Sequence, residues 1–92
     1  MIHLSVYTVR VKKAVIKQLR KCPEVIQILF DDLVEDLERK GPIQPEWPNY
    51  SGLSKNRYHC HLKHSWVACW YCEKDSIEIE VYYAGSRESA PY

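Results

Sequence analysis

Pro23 separates two stretches of helical periodicity that carry opposite charge, and this break limits the possible folds more than any other feature. Before it, Val11, Val15 and Leu19 fall four apart, with Ala14 and Ile16 beside them, which predicts a helix over 11–21. Arg10, Lys12, Lys13, Lys17, Arg20 and Lys21 give that stretch only positive charge. After the break, Ile26, Leu29, Phe30, Leu33, Val34 and Leu37 form an apolar stripe that predicts a second helix, from Pro23 to about Lys40. Its polar side carries Asp31, Asp32, Glu35, Asp36 and Glu38. A proline cannot continue the first helix and pushes Cys22 out of helical space, yet it suits the first turn of the second. Gly41-Pro42 is a normal helix stop. So short a link predicts an antiparallel helical hairpin.

The flanking segments read as strands. Leu4–Val9 alternates apolar and hydroxyl residues, which predicts a strand with Leu4, Val6 and Thr8 on one face. Residues 41–56 hold prolines, glycines, asparagines and serines and read as a loop, with Trp47 and Tyr50 folded back onto the domain. Three further strands are expected at Arg57–Leu62, Trp66–Cys72 and Ile77–Ala84, with Glu73–Ser76 as a turn and Gly85–Tyr92 as an irregular tail. In the last strand Ile77, Ile79, Val81 and Tyr83 face one way and Glu78, Glu80 and Tyr82 the other. The order is βααβββ. Late strands joined by short turns must be antiparallel neighbours, so the expected architecture is an α+β, two-layer domain spanning 1–92, with the helical hairpin on one face of a small antiparallel sheet.

Composition excludes several function classes. Thirteen Lys+Arg against twelve Asp+Glu give a formal net charge of +1, unlike a polybasic nucleic-acid binder or an acidic tail. No apolar run reaches the ~20 residues of a membrane span. The opening residues lack the features of a signal peptide, so a cytoplasmic protein is expected. Cys22, Cys60, Cys69 and Cys72 are then expected as free thiols.

One strand carries the candidate chemistry. Alternation puts Arg57, His59 and His61 on one face and Tyr58, Cys60 and Leu62 on the other, which is the natural core face. The first set could serve cleavage of a phosphodiester by a neighbouring hydroxyl, which needs a base, an acid for the leaving oxygen and positive charge on the phosphate. An imidazole, with an ordinary pKa of ~6.5, can take either proton role near neutrality. Arg87 and Lys63 could clamp the phosphate, Arg being the better bidentate partner. Tyr82 is a better base-stacking candidate than Trp66, Trp70 or Tyr83, which read as core or partner-facing. Taken alone, a histidine pair on an exposed strand face is more often only a polar, solvated pair than a catalytic one, and a basic first helix is usually a solvated face. A metal site reads poorly: Cys69 and Cys72 lie three apart in a strand pattern and point to opposite faces, and His59 and His61 have no clear third ligand beyond His64. No metal and no cofactor are expected.

Several strings, in this order and spacing, resemble the RelE/ParE superfamily of toxin–antitoxin toxins. They are Tyr7-Thr8-Val9-Arg10 leading into a Lys-rich helix, Leu33-Val34-Glu35-Asp36-Leu37, Tyr50-Ser51-Gly52-Leu53, Arg57-Tyr58-His59-Cys60-His61-Leu62-Lys63 and Tyr83-Ala84-Gly85-Ser86-Arg87-Glu88. The resemblance covers essentially the whole chain. It implies a bacterial type II toxin that binds a cognate antitoxin protein and meets operator DNA only through that complex. For the RelE branch it implies a metal-independent endoribonuclease that cuts mRNA on the ribosome and so inhibits translation. By motif match His59, His61, Arg87 and Tyr92 fall on catalytic positions, Tyr92 only with a one-residue gap. Lys63, Arg57, Lys12, Lys13, Lys17 and Arg20 would then contact RNA. One departure stands out: the family's central strand usually has an Arg just after an aromatic, whereas Trp66 is followed by Val67-Ala68, leaving Lys63 or His64 to supply the charge. That gap keeps two alternatives open, a ParE-like DNA gyrase inhibitor without catalysis and an inactive antitoxin-binding relative.

Overall fold

The computed structural model describes residues 6–92. The element order is β1 (Thr8–Val11), α1 (Lys13–Leu19), α2 (Glu24–Lys40), β2 (Ser51–Ser54), β3 (Arg57–Lys63), β4 (Trp66–Tyr71) and β5 (Glu78–Ser86), followed by a 3₁₀ turn at Arg87–Ser89. One five-stranded sheet runs β1-β5-β4-β3-β2. The late strands are antiparallel neighbours, as expected, and β1 pairs with β5 in parallel.

The expected α+β, two-layer architecture is present. The apolar stripe of α2 supplies Ile26, Phe30, Leu33 and Leu37 to the core, and α1 supplies Val15. They meet Cys60 and Leu62 of β3, Ala68 and Trp70 of β4, and Ile79, Val81 and Ala84 of β5. Trp70 is fully buried, donates from Nε1 to the Pro42 carbonyl at 3.0 Å, and lies beside the rings of Tyr50 and Tyr58 at 6.2 Å each. Trp47 folds back too, donating to the Asp36 carboxylate at 2.8 Å. Pro23 stands just before α2, and its carbonyl accepts the amides of Ile26 and Gln27. At the other end Gly41 takes φ 91°, and a Cβ there would lie 2.6 Å from the Tyr7 ring, so only glycine fits this stop.

Four expectations need correction. The first strand begins at Thr8 and runs through Val11, so Val11 belongs to a strand and α1 is confined to Lys13–Leu19. Val9 and Val11 pack on the core while Val6 and Thr8 are exposed, which reverses the expected face; Leu4 and Ser5 lie outside the described residues. Val11 fits the end of a strand with Val9 and the start of a helix with Val15 equally well, and pairing with β5 decides. Second, the stretch taken as loop contains β2, an edge strand paired with β3. Its side chains are mostly exposed, so it carries no alternation to find. Third, β5 continues through Gly85 and Ser86. Fourth, a bulge sets Trp70 opposite Val81 and Cys69 opposite Tyr83, leaving Tyr82 as the extra residue. Tyr83 therefore leaves the helix-side core, and its hydroxyl donates to the Ser86 carbonyl at 2.6 Å.

The two helices share one face of the sheet without closing on each other. A groove of about 600 Å³ lies between them, with Ile16 and Leu19 on one wall and Phe30 and Val34 on the other. No helix among the described residues is long and apolar enough to cross a membrane.

Candidate active site on the outer sheet face

The sheet face away from the helices carries three cross-strand rows. Arg57 of β3 stands opposite Tyr71 of β4, which pairs with Glu80 of β5. In the middle row are His59, Cys69 and Tyr83, and in the third His61, Val67 and Gly85. The chain after β5 returns across this face. The Arg87 amide donates to the Ser65 carbonyl at 2.7 Å, tying the segment to the β3–β4 turn, and the Tyr92 ring comes to rest on His59, with centroids 4.8 Å apart. Val67 and Cys69 are thereby fully buried although no helix covers them.

The site histidines are held differently. His59 is only 8% exposed. Its Nδ1 lies 3.0 Å from Ser51 Oγ, so the missed strand β2 supplies its partner. Burial pushes the His59 pKa below its ordinary value; a hydrogen bond to the Ser51 backbone opposes this, and the charges of His61 and Arg87 reinforce it. His59 is therefore neutral at physiological pH. His61 stands 6.0 Å from it, ring to ring, and its Nδ1 is 2.7 Å from the His64 carbonyl. A carbonyl only accepts, so Nδ1 of His61 carries the proton and Nε2 is the atom free to exchange one. The backbone of His64 makes that contact from a left-handed conformation, φ 52°, in the β3–β4 turn.

The pKa of Tyr92, whose ring lies on His59, is raised, first by burial and then by Cys69, with Arg87 pulling the other way. It therefore remains a phenol near neutrality, able to stack or to donate a proton. Cys69 beneath is an inert thiol, pushed by burial up to about 12. Among the described residues no group of three or more His, Cys, Asp or Glu converges as metal ligands, and all four cysteines are free.

The structure brings His59, His61, Arg87 and Tyr92 together, with Arg57 at one end of the face and Lys63 exposed at the β3–β4 turn. The basic segment divides. Lys12 reaches a cleft beside Arg57, Lys13 and Lys17 are exposed on α1, and Arg20 faces the inter-helix groove beside Asp31, Glu35 and Glu38. Val67, at the place of the expected central arginine, is apolar floor beneath the returning segment. Ser51 was missed because nothing in its loop-like surroundings marks a strand.

No family model and no curated protein matches the chain by sequence. Solved structures do match by shape. Against the toxin–antitoxin complex DinJ–YafQ of Escherichia coli the TM-score is 0.75 at 11% identity, covering 95% of this chain and 99% of that one. The archaeal RelE–RelB complex of Pyrococcus horikoshii gives 0.74 at 19% identity, covering 92% and 99%. A metal-bound toxin from Helicobacter pylori gives 0.67 at 20% identity, covering 89% and 96%. The chain has the RelE-like fold of these toxins.

Proposed function

We propose that this chain is the toxin of a type II toxin–antitoxin pair and acts as a ribosome-dependent endoribonuclease. The observation that carries the reading is the gathering of His59, His61, Tyr92 and the Arg87 charge on one sheet face. In this reading a histidine takes the proton of the RNA 2′-hydroxyl as its oxygen bonds to phosphorus. The bond to the 5′-oxygen breaks, a second group returns a proton to that oxygen, and the products are a 2′,3′-cyclic phosphate and a 5′-hydroxyl. His61 offers a free Nε2, while His59 lies neutral beneath Tyr92. Arg87 and Lys63 stabilise the charge building on the phosphate, and Tyr92 orients a base. Lys13 and Lys17 draw the protein to ribosomal RNA. A cognate antitoxin, in the cytoplasm, covers the helices or the open sheet edge, and operator DNA is met only through it.

The test is cleavage of mRNA on programmed 70S ribosomes, comparing the parent with the His59→Ala/His61→Ala double variant. The expected result is cutting by the parent, cyclic-phosphate ends, and a loss of at least ~100-fold in the variant. Equal cutting by both would move the chemistry to Lys63, Arg87 or Tyr92. Cut ends carrying a 5′-phosphate and a 3′-hydroxyl would replace the metal-free mechanism with metal-assisted hydrolysis. Val67 in place of the usual arginine is the observation that favours the gyrase alternative; intact mRNA with gyrase-dependent DNA breaks in cells would establish it.

A further inference from the structure

The outer face has a second feature, separated from His61 and Arg87 by the strap of Pro91 and Tyr92. A cleft of about 490 Å³ opens over the first cross-strand row, with Arg57, Tyr71, Tyr82, Glu80, Lys12 and Pro91 among its walls. Arg57 Cζ lies over both the Tyr71 ring, at 5.4 Å, and the Tyr82 ring, at 5.3 Å. A guanidinium laid against aromatic faces is held by them, and although Arg57 also donates towards the Tyr82 hydroxyl, among the described residues the other donors of its planar fork have no side-chain partner. Among the described residues no carboxylate pairs with Arg57, although it is exposed on a mixed-charge surface. Lys12, in contrast, is engaged by Glu80 at 4.0 Å. The available cation of the cleft is thus Arg57, and its planar fork matches two oxygens of one phosphate.

We propose that this cleft is a subsite for a flanking phosphodiester of single-stranded RNA, held by Arg57 against Tyr71 and Tyr82. The substrate class rests on the endoribonuclease reading above. Arg57 and His61 lie on the same face of β3, four residues apart, or ~13 Å along the strand. An extended polynucleotide covers that distance in a few nucleotides, passing over Tyr92 between the two cationic ends. Aromatic platforms alternating with cations are how proteins hold single strands without reading their sequence. The shallow edge of Tyr71, whose hydroxyl is turned away to the Glu73 carboxylate at 3.0 Å, leaves its ring beside the cleft for a base.

The test needs no ribosome. Oligouridylates of two and six nucleotides, 2′-O-methylated so that they cannot be cut, are titrated into the full chain while the Tyr71 and Tyr82 ring resonances are followed. The six-nucleotide probe is expected to shift both rings and to bind about tenfold more weakly to Arg57→Lys, which keeps the charge and loses the fork. The slope of log affinity against log salt should fall by ~0.7 in Arg57→Ala, the loss of one phosphate contact. The two-nucleotide probe, too short to span from Arg57 to His61, should bind more weakly than the long one to the parent. Equal binding of the long probe to parent and variants, or silent tyrosine rings, would overturn the subsite. So would inorganic phosphate shifting the same resonances at the same concentration, since that marks a simple anion site. If the subsite binds as expected and ribosomal cleavage fails, the endoribonuclease reading falls while a single-strand site remains.

Discussion

The two faces of the sheet bury side chains by different means. On the helix side α2 lays a continuous apolar stripe over Trp70, Ile79 and Val81, and each is fully buried by another regular element. On the outer side Val67 and Cys69 are equally buried, but their cover is a returning segment whose last ring, Tyr92, is itself 53% exposed. One face is a packed core. The other is a thin polar and aromatic lid over a narrow apolar floor, and every titratable group of the candidate site lies on it. Stability and chemistry are thereby assigned to opposite faces, and each can be disturbed with little effect on the other.

Replacing Trp70 by Ala should have the largest effect. It empties a fully buried ring site and strands the Pro42 carbonyl, so a loss of about 3–5 kcal/mol is expected from urea denaturation. Val67→Ala, at the same burial on the other face, should cost about 1.6 kcal/mol, two methylenes' worth of transfer energy with little cavity penalty because the strap above can settle. A Val67→Ala loss that includes a full cavity term would mean that the strap is as rigid as the helix layer, and the contrast between the faces would disappear.

Legibility in the sequence follows the same division. The stripe of α2, the break at Pro23, the stop at Gly41 and the alternation of β3 are all responses to one large apolar layer, and periodicity records such layers. The facing of Arg57, His59 and His61 away from the core was readable for that reason. What escaped depends on partners distant in sequence. Ser51 lies on an edge strand that buries almost nothing, so only its pairing with His59 reveals it. The parallel partnership of β1 with β5 decides where Val11 belongs. The β5 bulge, which sends Tyr82 to Arg57, shifts the pattern by one residue where the motif itself still reads as regular. That Tyr92 lies on His59 was not readable, since nothing in a polar tail announces where it docks.

Ser51→Ala tests the polar half of the outer face. It removes the Nδ1 partner of a His59 that is mostly buried, and a loss of about 1 kcal/mol is expected at pH 7.5, with Ser51→Thr restoring it. No change in the urea midpoint would mean that water replaces the hydroxyl and that β2 does not hold the ring.

The smallest effect is the sharpest probe of the strap. The folded pKa of His59 lies below its ordinary value, with burial the leading cause. An unfolded chain protonates this ring at about 6.5 and the folded one at lower pH, so the stability linked to it is fully present above about 6.5 and declines as pH falls through the folded pKa. Tyr92→Ala uncovers the ring and should move its titration, followed by the imidazole proton resonances, back towards 6.5. The fall in stability between pH 7.5 and pH 5 should shrink with it. Tyr92→Phe keeps the ring and should leave both unchanged. If His59 titrates identically in Tyr92→Ala and the parent, the burial that keeps it neutral comes from β2 and β4 instead, and Tyr92 does not set the protonation state beneath it.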